Sequence, residues 1–133
     1  EHRERLWANA RRLWTGLRDA GLCLPALESP ILPVFVGHEP VLWAISRELF
    51  AAGLKCGNVS YPAVPRGESI LRLSVSSRHT AEDVDRAVET IAGLAGRFGI
   101  LNLSQAEIRK VGRHLRLDDA PQGVTAQREA AED

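Results

Sequence analysis

The stretch from Tyr61 to Thr80 reads YPAVPRGESILRLSVSSRHT and holds the residue best equipped for chemistry, Arg72. Around it Leu71, Leu73 and Val75 alternate with Ile70, Ser74 and Ser76, a period-two pattern that predicts a strand with Arg72 on its polar face. An unpaired guanidinium is costly to bury, and its natural use is a two-pronged hydrogen bond to a carboxylate or phosphate. The alternative is an ion pair with a surface acid such as Glu68. Before the strand, Pro62 and Pro65 predict an extended loop, followed by a turn over Arg66 to Ser69. After it, His79 marks a strand-to-helix corner, and Thr80 with Asp83 forms a capping box that starts a helix.

The other reactive residue types point to less. Cys23 and Cys56 show no CxxC or Cys/His ligand spacing and are expected to be two buried, reduced thiols. His2, His38, His79 and His114 are scattered, so no metal site is expected, and His38 reads as a turn or capping element beside a helix start.

The elements that must carry Arg72 follow from periodicity. Leu6, Ala10, Leu13 and Leu17, widened by Trp7 and Trp14, predict an amphipathic helix over 1–20 that Gly21 ends. Ile31 to Val36 is apolar on both alternating sets, Ile31, Pro33 and Phe35 against Leu32, Val34 and Val36, so this strand calls for cover on both faces; Pro33 calls for a sheet edge or a gap in the ladder. Pro40 suits the first turn of a second helix with Val41, Leu42, Ile45 and Leu49 inside, ended at Gly53. Lys55 to Val64 is a poor strand broken by Gly57 and Pro62. Val84, Ala87, Val88, Ile91 and Ala95 line the helix that Thr80 opens and Gly99 closes.

A second capping box, Ser104 with Glu107, opens a short helix with Ala106, Ile108, Val111 and Leu115 inside and Arg109, Lys110, Arg113 and Arg116 outside. That basic face reads as solvated, with an acidic carrier protein as the other possibility. From Asp118 no apolar period survives, and a disordered tail is expected. The outcome is an α+β fold, a two-layer sandwich with helices on one face of a small, mainly antiparallel sheet and the opposite face open. The domain spans 1–103, including the lead-in helix 1–20, with an extra helix over 104–117 and the tail over 118–133.

With 17 basic and 17 acidic residues among 133, the chain lacks the positive field that binds nucleic acid. No apolar run approaches the ~18 residues of a membrane span, and the start, EHRER, lacks a secretory core, so a cytoplasmic location is expected. On the residues alone, a ligand-binding module and a docking domain are equal candidates.

SPILPVFV at Ser29 to Val36, together with Tyr61 to Thr80, resembles the C-terminal domain of the α-oxoamine synthases. These are fold-type I pyridoxal-phosphate enzymes that include 8-amino-7-oxononanoate synthase, 5-aminolevulinate synthase, serine palmitoyltransferase and 2-amino-3-ketobutyrate ligase. Their pattern is Ser-Pro-Ile-x-Pro, a helix, a Pro-x-x-Pro loop, Gly, Leu-Arg-(Leu/Ile)-(Ser/Thr), and His-Thr before a helix. Order and spacing agree from Glu1 to about Leu101. The resemblance implies condensation of an amino acid with an acyl thioester, from acyl-CoA or an acyl-carrier protein, with loss of carbon dioxide. It gives Arg72 the amino-acid carboxylate and makes Tyr61, Pro62, Ala63, Val64 and Pro65 the loop at the active-site mouth.

Two departures matter. Tyr61 stands where the first of two adjacent prolines is common, and Ser60 stands where serine palmitoyltransferases have an assisting arginine, which counts against that member and leaves Arg72 without its helper. The Schiff-base lysine, the aspartate on the pyridine nitrogen and the histidine on the ring lie in a cofactor domain that this chain does not contain. Its lysines are Lys55 and Lys110, neither in the family's lysine motif. The chain alone is therefore expected neither to hold pyridoxal phosphate nor to catalyse, and its implied partner is a missing cofactor domain or related subunit, in a homodimer when complete. A non-catalytic docking or regulatory domain paired with a related synthase subunit is the alternative, and a sensor using Arg72 for a carboxylate ligand is a third.

Overall fold

A computed structural model of the chain describes residues 1–53 and 56–114, with side chains as far as Lys110. Lys55, the end of the last helix at Leu115 to Leu117 and the expected tail over 118–133 fall outside the described residues. The elements run α1 (His2–Ala20), β1 (Ile31–Gly37), α2 (Glu39–Ala51), β2 (Cys56–Val59), β3 (Ser69–Ser74), α3 (Ala81–Arg97) and α4 (Gln105–His114). The strands form an antiparallel sheet in the order β1-β3-β2, so the Arg72 strand is central. This is the two-layer α+β arrangement with one open face.

Register explains why one face is closed. Leu32 stands opposite Leu73 and Val34 opposite Leu71, and all four are at most 1% exposed beneath the helices. Such cross-strand pairs are the unit of sheet stabilisation. The core beneath them includes Leu13, Leu17, Leu42, Ile45, Leu49 and Ile91. α1 and α3 are joined across their surfaces by a bidentate pair, Arg12 to Asp85, at 2.7 and 2.8 Å.

β1 is an edge strand, one of the two placements that Pro33 allows. Phe35 donates its N–H away from the sheet to Cys23 O (3.0 Å), and Ile31 donates outward to Ser29 Oγ (3.1 Å). Because alternate residues share direction, the missing N–H of Pro33 also faces outward and costs the ladder nothing. Ile31 is half exposed and Phe35 partly so, and no helix layer covers their face at Ile31 and Pro33.

The caps follow the sequence. Gly21 ends α1 in the left-handed region (φ 104°), with its N–H on Arg18 O and that of Leu22 on Leu17 O. Thr80 and Asp83 form the reciprocal box at α3, with hydrogen bonds of 2.9 and 3.1 Å, and Ser104 and Glu107 form the one at α4. His79 holds its corner through Nδ1, which accepts the Ser76 N–H at 3.0 Å, while Asn9 of α1 donates to both Ser76 O and His79 O.

Four expectations need correction. Both cysteines are free but only half-buried, because each sits beside a strand edge or loop rather than inside the core. His38 does stand at the turn and N-cap position of α2, but its side chain makes no capping bond. Ala106 is exposed, and Arg109, expected to be solvated, pairs with Glu68 while staying partly exposed. Among the described residues the poor strand runs Cys56–Val59, with Gly57 inside it, and the chain leaves the sheet well before Pro62.

Candidate functional site

Arg72 projects from the middle of β3 onto the open face and is exposed. Its cross-strand partners there are Pro33 on β1 and Gly57 on β2. Pro33 and Arg72 form a pair without ladder hydrogen bonds, the kind in which facing side chains come closest. On the other side the guanidinium lies over Gly57: a Cβ added at Gly57 would stand 3.3 Å from Nη2 and 3.4 Å from Nε. Gly57, read in the sequence only as a strand breaker, thus gives Arg72 its bed.

Arg72 makes no ion pair or side-chain hydrogen bond among the described residues, and Glu68, its proposed surface partner, is committed to Arg109 of α4. A permanently charged fork held flat on an open sheet, with no internal acid, is built for an incoming carboxylate or phosphate.

The loop leaves β2 beside this site, since Val59 stands opposite Ile70, two residues from Arg72 on the same face. Ser60 O accepts the N–H groups of Ala63 (2.9 Å) and Val64 (3.4 Å), which with the donor-less Pro62 and Pro65 gives the loop a compact shape. Tyr61 is half exposed, and Arg66 lies over its ring at 4.2 Å from the centroid. Sequence reasoning brought Tyr61 to Pro65 and Arg72 to one region, but it missed Gly57 and this Arg66–Tyr61 stack.

At the far end of the same face, a cleft of about 160 Å³ lies between the loop and α4. Phe35, Ile70, Val64, Pro65 and Ile108 supply apolar walls; Ser69 borders them, but its hydroxyl is fully buried, on the same alternating set of β3 as Leu71 and Leu73, and has no partner among the described residues. α4 reaches the sheet because Gly37 (φ +89°) has no side chain: a Cβ there would be 2.7 Å from Ile108 Cγ2.

Among the described residues no cluster of His, Cys, Asp or Glu could hold a metal, and no helix is long and apolar enough to cross a membrane. Burial pushes the Cys23 thiol pKa up, with Arg18 opposing it.

No family model matches the chain. Individual relatives do. The chain is 36% identical to 8-amino-7-oxononanoate synthase of Treponema denticola over 101 residues, which are 76% of this chain and 26% of that protein. It is equally similar, 36% over 101 residues, to 2-amino-3-ketobutyrate coenzyme A ligase of Escherichia coli, of which it covers 25%. Among solved structures, serine palmitoyltransferase of Sphingomonas wittichii superimposes with a TM-score of 0.67 at 31% identity, covering 75% of this chain and 26% of that one. The chain belongs to the α-oxoamine synthase family. It spans about a quarter of the length of the relatives it matches, and its fold is that of the C-terminal domain in the serine palmitoyltransferase structures. A further serine palmitoyltransferase structure, with a TM-score of 0.68 at 28% identity, is described with pyridoxal phosphate bound.

Proposed function

We propose that this chain is the C-terminal substrate-binding domain of a pyridoxal-phosphate-dependent acyltransferase, one that condenses an amino acid with an acyl thioester and releases carbon dioxide. Arg72 carries the reading. Its unpaired guanidinium, laid over Gly57 on the open face, supports a role as anchor for the amino-acid carboxylate. Holding that carboxylate fixes the orientation of the bonds at Cα, a positioning effect that exceeds the binding it provides. The loop from Tyr61 to Pro65 borders the same face and would control entry to it.

The cofactor would supply the electron sink for the bond broken at Cα. The described open face offers no lysine to hold it: the chain's lysines are Lys55 and Lys110, and Lys110 is exposed on α4. This chain's part is to bind and orient substrate, with the cofactor held by another domain or subunit.

Arg72→Ala, in a protein that includes the cofactor domain, should raise the amino-acid KM roughly 10- to 150-fold, the worth of hydrogen bonds to a charged group, while cofactor absorbance stays in place. Steady-state kinetics against amino-acid concentration measure it, and an unchanged KM removes Arg72 from the site.

A further inference from the structure

We propose that the outer edge of β2 takes on a further strand, an extended segment from the part of the protein that holds the cofactor; this rests on the reading that another domain or subunit holds it. Register decides which backbone groups are open to such pairing. On β1 the N–H groups of Ile31 and Phe35 point away from the sheet, so Leu32 and Val34 pair into it with Leu73 and Leu71. Ile70 and Arg72 therefore turn their backbone groups the other way, to Val59 and Gly57. Cys56 and Asn58, which alternate with these, point outward, and their backbone N–H and C=O groups have no partner among the described residues.

The β1 edge is closed by Ser29, Cys23 and the ring of Pro33. The β2 edge has no such closure: Cys56–Val59 is short, but it holds neither a proline nor a charged residue to turn a neighbour away. An open ladder is matched by an extended backbone, whose main-chain bonds give affinity and whose alternate side chains give specificity.

The surroundings specify those side chains. On the helix side, Ser46 of α2 meets Cys56 Sγ at 3.5 Å, and Trp43 and Phe50, one turn before and one turn after Ser46, share its face of the helix. Phe50 is 81% exposed, so the helix-side residues of the segment are apolar and cover it. On the open side, the Arg72 guanidinium lies over Gly57, so the residue beside Gly57 is short and uncharged; a long one would lift the guanidinium, and an acidic one would take its charge. A second copy of the chain fits poorly. Pairing β2 with β2 antiparallel would set two Arg72 guanidinium groups on one face over adjacent strands, like charges side by side. The remaining source is the rest of the protein, since the chain spans about a quarter of the length of the relatives it matches.

The test reads amide hydrogen exchange residue by residue, in this chain alone and in a protein that includes the cofactor domain. Gly57 and Val59 should exchange slowly in both. Cys56 and Asn58 should exchange freely in the chain alone and slow by roughly a hundredfold or more in the larger protein. Asn58→Pro deletes an outward N–H and none of the bonds to β3. Phe50→Ser, at an exposed position that folding does not need, removes the ring and provides an independent variant. In the larger protein each should return Cys56 toward free exchange. Free exchange of Cys56 and Asn58 in both proteins, slow exchange already in the dilute chain alone, or unchanged protection in both variants would overturn the proposal. So would protection in the chain alone that grows with its concentration, the mark of a second copy. The amino-acid KM of Arg72→Ala judges the carboxylate-anchor reading separately, because the Arg72 side chain takes no part in the pairing.

Discussion

The two faces of the three-stranded sheet differ in what they leave unfinished. On the helix side, Leu32, Val34, Leu71 and Leu73 meet across the strands and are all but inaccessible. On the other side, the same strands present Ile31, Pro33, Arg72 and Val59 without a covering layer, and Phe35 and Ile70 beside the cleft that the loop and α4 border. One face supplies the stability of the domain, and the other is shaped for something outside it. A residue's position in the strand alternation therefore decides whether its loss is felt in folding or in binding.

Neighbouring residues of β3 give the strongest test of that division. Leu71→Ala should destabilise the domain by about 2–5 kcal/mol through lost burial and a residual cavity, whereas Arg72→Ala should change stability by no more than about 0.5 kcal/mol. Denaturant unfolding of the two variants measures both, and equal losses would break the comparison. Thr80→Ala removes a cap on the helix side and should cost about 1 kcal/mol by the same assay, with no effect on amino-acid KM in the cofactor-bearing protein. Gly57→Ala sharpens the contrast from the open side. The added methyl displaces the Arg72 guanidinium, so KM should rise by less than in Arg72→Ala while the melting temperature barely moves.

The smallest effect is electrostatic. Hydrogen bonding to Arg12 lowers the Asp85 carboxyl below its ordinary 3.8, and the Thr80 backbone N–H, then its side chain, lowers Asp83. Groups with depressed folded values stabilise above the ordinary value, and that contribution is lost as pH falls through the lowered one. Melting temperature should thus fall on acidification below about pH 4, and Asp85→Asn should flatten part of that fall. Both carboxyls are exposed, so salt should weaken the effect.

Much of this division was legible in the chain. Alternation around Arg72 gave its face, the doubly apolar run at Ile31 to Val36 announced a surface left for something else, and Pro33 called for an edge or a ladder gap, of which β1 takes the edge. Capping boxes at Thr80 and Ser104 were readable because their chemistry is local. Gly57 beneath Arg72, and Arg109 turned toward Glu68, were not, since both depend on pairing between segments that periodicity cannot align. α4 illustrates the limit. Its helical period was visible, but the inside and outside of a short helix depend on what it meets, and a glycine 71 positions earlier than Ile108 decides that.

The outer edge of β1 carries a consequence for assembly. Its outward N–H groups are spoken for at Ile31 and Phe35, and Pro33 has none to offer. A strand from another molecule would find no ladder to join there, which guards the edge against the open-ended stacking that bare sheets invite. On this side of the sheet, a partner must therefore approach side chain first, onto the broad face where Arg72 lies.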